Sequence, residues 1–268
     1  MVNDIALLIP VYQDQSGLEK TLRSIRGNNL DIFIVDDGSF PPISIDAYIN
    51  WFPTLRLYRL EQNSGITIAL NYGLDEILHS FRYKYIARLD AGDISLPGRF
   101  EKQWSFLEKN PDYSLIGGQV KFVDKHGIEL WKEHFPTSYN EIRRVMHARN
   151  CFIHSAVMIR TSVLKKIGVY SLYYPAAEDY ELFMRLAKHS AVANLADFVL
   201  EAKVNPLGIS IQKRRRQVLS RMKVMIKYFD PMLKESYLGI FKNIIMLILP
   251  YPIVMKIKRA FHDKRGWL

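Results

Sequence analysis

Between Ile5 and about Val204, short apolar runs alternate with segments of helical period, and this alternation constrains the chain more than any other feature. It is the pattern of βα units that build a mostly parallel sheet covered by helices. Residues 5–9, 32–35, 55–60 and 83–89 read as strands. A first helix is expected to open at Ser16-Gly17-Leu18-Glu19, with Ser16 as the cap, Glu19 reaching back, and Leu18, Leu22 and Ile25 on one face. A second, opened by Pro97, carries Phe100, Trp104 and Leu107 at the same spacing, which reads as a core face. No repeat or low-complexity linker interrupts the chain before about Gly208.

With 268 residues and 49% hydrophobic content, the chain suffices for one large domain with a helical appendage. The N-terminus lacks the basic region and small-residue cleavage site of a secretory signal, so a cytoplasmic location is expected. Cys151, the only cysteine, excludes an internal disulfide and any multi-cysteine metal site, and reads as a small buried hydrophobe. The net charge of +10 points to an anionic partner. Its excess is concentrated in the last quarter, in Lys213-Arg214-Arg215-Arg216 and in Lys242, Lys256, Lys258, Arg259, Lys264 and Arg265. That quarter has helical segments around 211–229 and 238–249, a break at Pro250-Tyr251-Pro252, and a basic stretch at 253–261. The apolar stretch 244–255 falls short of the roughly 20 residues a membrane span needs. It fits either an interfacial helix on an anionic leaflet or a helix packed on the preceding domain or on another subunit. The basic run reads as a solvated helix face rather than a nucleic-acid site.

Ligands of open α/β sheets bind beyond the carboxyl ends of the strands. Here the first strand ends at Pro10-Val11-Tyr12, the second at Asp36-Asp37-Gly38-Ser39, and the strand at 83–89 at Asp90-Ala91-Gly92-Asp93. Two carboxylates on a glycine-containing turn can offer oxygens to one hard cation, Mg²⁺ or Mn²⁺; equally, such a turn can be solvated and bond only its own backbone. Asn63-Ser64-Gly65 precedes a helix through Ala69, Asn71 and Gly73, whose start could face a diphosphate or whose small residues could serve close packing. Glu178-Asp179-Tyr180-Glu181 opens another helix, where acids suit the helix dipole and where Asp179 is held firmly enough to act as a general base.

Taken in order, these segments resemble the bacterial family 2 glycosyltransferases, inverting enzymes of the GT-A fold. The likeness rests on Ile9-Pro10-Val11-Tyr12, Val35-Asp36-Asp37-Gly38-Ser39, Asn63-Ser64-Gly65 with Ala69-Leu70-Asn71-Tyr72-Gly73, Ala87-Arg88-Leu89-Asp90-Ala91-Gly92-Asp93 and Pro97-Gly98-Arg99-Phe100. Ile153-His154-Ser155-Ala156-Val157-Met158 and Ala177-Glu178-Asp179-Tyr180-Glu181-Leu182 extend it, so that it covers roughly residues 5–210.

The resemblance implies a GT-A catalytic domain over 1–208, with a Rossmann-like, mixed, mostly parallel sheet, and a basic amphipathic helical tail over 209–268. It implies a nucleotide-sugar donor, of the UDP-sugar class, bound by Pro10, Val11, Tyr12, Asp36, Asp37, Asn63, Gly65, Arg88, Asp90 and Ala91. Asp93 and Asp90 would hold Mn²⁺ or Mg²⁺, with Asp93 the direct ligand, and Asp179 would be the base. Glu178 and His154 would shape the acceptor pocket. The acceptor implied is a lipid-linked saccharide of bacterial surface-polysaccharide assembly, such as O-antigen or capsule, handled at the inner face of the membrane. Two positions depart from the family pattern: Gly92, where relatives often carry another acid, and Asn205, where many place a histidine able to approach the metal.

Two other functions compete. A nucleotidyltransferase would also need a nucleotide pocket and metal-binding carboxylates, but residues 10–15 contain neither the Gly nor the Lys of its phosphate-activating loop. A nucleotide-sugar-binding or membrane-scaffold protein would have no need for Asp90, Asp93 and Asp179 together.

Overall fold

The computed structural model describes residues 4–204 and 214–249. Its first half is a run of βα units: β1 (Ile5–Val11), α1 (Gln15–Ser24), β2 (Asp31–Asp36), β3 (Thr54–Arg59), α2 (Ile66–His79) and β4 (Tyr85–Arg88). After the two-residue β5 (Ile94–Ser95) come α3 (Arg99–Lys109), β6 (Tyr113–Val123), β7 (Glu129–Glu133), α4 (Tyr139–Val145), β8 (Met158–Arg160) and α5 (Thr161–Ile167). Next follow α6 (Glu178–His189), β9 (Ala191–Lys203), α7 (Arg214–Lys227) and α8 (Lys234–Ile248).

All nine strands join one mixed sheet in the order β3-β2-β1-β4-β8-β6-β9-β5, with β7 paired to β6. The first four are parallel, in the register Val11↔Asp36 and Leu8↔Arg88, so their carboxyl ends share one edge. The remainder is antiparallel except for β6 with β9. β1 is buried along its whole length because helices cover both faces of the sheet. Strand alternation divides its side chains between two cores. Ala6 and Leu8 pack with Ala69, Leu70 and Leu74 of α2 and Phe183 of α6. Ile5, Leu7 and Ile9 pack with Leu18 and Leu22 of α1 and Phe100 of α3.

The start of α1 differs from expectation: Asp14, not Ser16, caps it, accepting the Gly17 N–H at 2.9 Å, while Ser16 donates to Asp14. A carboxylate outcompetes a hydroxyl for a helix N-terminus because the bond carries charge. α7 and α8 pack on each other and α7 on α6, burying Val224 and Met225 in the core that holds Phe183. The expected boundary near Gly208, the residue Asn205 and the basic stretch after Pro250 lie outside the described residues. Among the described residues, no helix is long and apolar enough to cross a membrane.

Candidate active site

The carboxylates at the end of β2 are spent on the backbone. Asp36, fully buried, accepts the N–H of Ser39 at 2.9 Å and of Ile43 at 3.3 Å, with the Arg59 guanidinium 3.8 Å away. Asp37 accepts the N–H of Ser64 at 2.8 Å and of Gly65 at 2.9 Å, and the Asn63 side-chain amide at 3.1 Å. Asp37 thus ties down the loop just before α2, whose own first amides take no side-chain cap. Gly73 meets Leu8 and Val35 so closely that a side chain there would collide with the sheet, which favours close packing as the reason for its small residues. Pro10 and Val11 are buried, whereas the ring of Tyr12 is 49% exposed at the mouth of the β1–β2 crevice, where a planar base could stack on it.

The turn after β4 is built differently. Gly92 has φ +96°, a conformation that side chains resist, so an acid at this position would strain the turn. Thr21 of α1 pins the turn, donating to the Asp93 carbonyl at 2.8 Å and accepting the Gly92 N–H at 2.9 Å. Beneath it lies Arg88, fully buried, which donates to the Leu8 carbonyl at 2.7 Å and to Asp90 at 2.6 Å. Arg88 thus orients Asp90 from below. Arg99, also buried, donates to the Arg88 carbonyl at 2.7 Å and to Gln103 at 3.2 Å.

Asp93 is 8% exposed, with one oxygen accepting the Ser155 hydroxyl at 2.6 Å and the other the Lys203 N–H at 2.9 Å. Burial, and then the charge of Asp90, push its carboxyl up to about 7, against the pull of those two bonds. The Asp90 side chain remains 42% exposed. The expectation put Asp93 first as the cation's ligand, but the accessible carboxylate is that of Asp90. Among the described residues no set of three or more His, Cys, Asp or Glu is arranged as a metal cage. The pair nevertheless suits a hard cation that also binds a diphosphate: it offers oxygen donors, and a positive charge would relieve the repulsion that raises Asp93.

Glu178 and Asp179, at the first turn of α6, face the same space. Asp179 accepts the Asn150 side-chain amide at 3.1 Å, and burial raises it above the ordinary carboxylate range, with the charge of Asp90 adding to the shift and that of Arg221 opposing it. Glu178 is 5% exposed, and its Oε2 has no hydrogen-bond partner. Burial, then the charge of Asp179, carry it up to about 7. His154 accepts at Nε2 from the Tyr170 hydroxyl at 2.6 Å and, at 3.5 Å, from Arg88. Burial and the Arg88 charge lower it to about 3, so it is a neutral wall of the site rather than a proton carrier. The thiol of Cys151, pushed up to about 12 by burial, is the inert hydrophobe expected.

Arg88 joins Asp90 to His154 and, through it, to Tyr170, and the charge of Asp90 is felt at Asp93, Glu178 and Asp179, so the two acidic pairs neighbour each other. Asp36 and Asp37 are held apart from them in their own turns. Thr21, Ser155 and the Lys203 backbone hold the Asp90–Asp93 turn, Asn150 holds Asp179, and Arg99 bonds the Arg88 carbonyl beneath the turn. Sequence reasoning missed what these five bond to, even where Arg99 and Ser155 stood inside motifs, because each reaches its partner across the fold.

The model of the family described as Glycosyl transferase family 2 matches residues 6–168, which include the whole parallel block and the Asp90–Asp93 turn. The chain belongs to this family. It is a glycosyltransferase, as the sequence resemblance implied. The chain is similar to the amylovoran biosynthesis glycosyltransferase AmsE of Erwinia amylovora, 32% identical over 86% of this chain and 87% of AmsE. It is also similar to a UDP-Gal:alpha-D-GlcNAc-diphosphoundecaprenol beta-1,3-galactosyltransferase of Escherichia coli, 28% identical over 67% of this chain and 66% of that enzyme. Among solved structures, residues 1–349 of S. aureus TarS in complex with UDP-GlcNAc share the fold, with a TM-score of 0.64 at 15% identity, over 91% of this chain and 70% of that one.

Proposed function

We propose that this glycosyltransferase moves one sugar from a UDP-sugar to a hydroxyl of a lipid-linked saccharide, with inversion, in the assembly of a bacterial surface polysaccharide. The observation that carries the reading is the Asp90–Asp93 turn at the carboxyl end of the parallel strands, with Asp90 oriented by Arg88 and near enough to Glu178 and Asp179 for its charge to act on them. A UDP-sugar donor and a diphosphate-lipid acceptor are supported by the TarS complex and the galactosyltransferase, and a polysaccharide product by AmsE.

In this reading Tyr12 stacks on the base, while Asp37 fixes the loop of Asn63 and Gly65 beside it. Asp179 takes the proton of the acceptor hydroxyl as that oxygen bonds to the anomeric carbon. The bond from that carbon to the donor diphosphate breaks, its electron pair leaves with UDP, and no covalent enzyme intermediate forms. A carboxylate raised above its ordinary range is the stronger base for that step. Asn150 and the start of α6 keep Asp179 in place, and Glu178 and His154 wall the acceptor pocket. Asp90, oriented by Arg88, and Asp93 behind it would hold Mn²⁺ or Mg²⁺, which supplies positive charge to the departing diphosphate. The catalytic domain would span 1–208 and the tail 209–268, with the enzyme working at the inner face of the membrane.

UDP release from a panel of UDP-sugars, with Mn²⁺ and with a chelator, tests this. Release from one donor that vanishes with the chelator and in Asp93→Ala is the expected result. Release that is indifferent to both would overturn the metal assignment, and transfer only from a non-uridine donor would overturn the donor class.

A further inference from the structure

α8 is amphipathic with its faces reversed. Its buried residues are Glu235, Ser236, Gly239 and Asn243, whereas Tyr237, Phe241, Ile244 and Ile248 form an outward stripe at helical spacing, flanked by Leu238. Phe241 is 61% exposed, Ile248 73%, and Met232 in the preceding turn 89%. The inward face is specified by particular contacts. Gly239 lies so close to the His147 carbonyl that no side chain fits, Ser236 bonds His147 at 3.0 Å, and Glu235 pairs with Arg144 at 3.1 Å. The helix is therefore held in this orientation, and a row of large apolar side chains turned to water is costly unless something covers it.

The charge of the chain says what. Residues 205–268 contain 14 Lys and Arg against 3 Asp and Glu, so the whole of the +10 excess resides there, while the rest of the chain is close to neutral. An apolar stripe embedded in cationic sequence matches a surface that is apolar within and anionic at its rim. The stripe from Tyr237 to Ile248 is about 17 Å long, enough to lie in a membrane plane and too short to cross it.

We propose that the outward face of α8 is the docking surface for an anionic lipid bilayer. This deepens the reading of a lipid-linked acceptor and rests on it for its purpose. α8 seats on residues 147–148, and Asn150, two residues further on, holds Asp179. Docking through Phe241 and its neighbours ties the membrane plane to the acceptor side of the site through one short segment.

The test is sedimentation of the full chain with vesicles of phosphatidylcholine, with and without phosphatidylglycerol, for the wild type and for a Phe241→Glu, Ile248→Glu double variant. Light scattering, melting temperature and UDP release are measured on the same samples. The wild type should bind the anionic vesicles, and the variant at least about tenfold more weakly. Melting temperature and UDP release should be unchanged, because both side chains point away from the fold. Equal binding by the two proteins would overturn the proposal, leaving the cations alone to account for it. A wild-type dimer that the variant splits would overturn it in favour of a second copy on this face. If UDP release is absent from both proteins, the catalytic reading fails while the vesicle result still decides this one.

Discussion

Two groups of acids at the same edge of the sheet behave in opposite ways. Asp36 and Asp37, after β2, are met by backbone N–H groups from their own turn and from the loop just before α2. Asp93, Glu178 and Asp179 are buried within reach of the charge of Asp90, and burial raises all three. The first group shapes the crevice, and the second is the one that the proposed reading assigns to a cation and a proton. Position at a strand end does not separate the two groups; the charge of Asp90, which acts on all three acids of the second, does.

Substitutions in each group should separate them further. Short of removing the base itself, the largest effect is expected from Asp90→Asn, which keeps an acceptor for Arg88 but removes the charge felt by the other three acids. Mn²⁺ affinity in the presence of UDP, followed by electron paramagnetic resonance, should fall at least about tenfold, and turnover about a hundredfold. An unchanged Mn²⁺ affinity would return the cation to Asp93. Asp37→Ala should instead act on stability, costing on the order of 2–4 kcal/mol in denaturant unfolding, because it orphans three donors in the loop just before α2. If stability held while donor binding collapsed, Asp37 would belong with the second group.

Glu178→Gln gives the smallest effect and the sharpest contrast. The folded protein holds the Glu178 proton up to about 7, against an ordinary value of 4.5. Between those values the folded state binds more protons than the unfolded, so this side chain loses stability as pH rises through that window. Gln should therefore raise the melting temperature at pH 8, by the equivalent of about 1–3 kcal/mol, and leave it unchanged near pH 4. A uniform change across pH would mean that packing, not charge, sets its contribution.

The parallel half of the sheet and the acids at its edge were legible because each is a local pattern: an apolar run ending in Asp, or a helix opening on acids. The alternation of 83–89 with Asp90-Ala91-Gly92-Asp93 needed no tertiary knowledge. What holds those acids was not legible. Thr21 reaches the Asp90–Asp93 turn from α1, Ser155 reaches Asp93 from 62 residues away and the Lys203 N–H from 110, so the contacts exist only once the sheet has formed. The tail shows the same limit. Its periodicity announced helices, but the same stripe could have faced the core, and it is the fit of Gly239 and Ser236 against His147, with the Glu235–Arg144 pair, that turns α8 outward. The raised carboxyl of Asp179 was hidden as well, since Asn150 and Asp90 lie far from it in the sequence.

The central claim is that Asp179 is the group that takes the acceptor's proton, and kinetics of Asp179→Asn test it most directly when donor affinity is measured by calorimetry on the same protein. The account predicts turnover reduced by about a thousandfold with donor affinity unchanged. Turnover close to that of the wild type would contradict it and move the base elsewhere in the site.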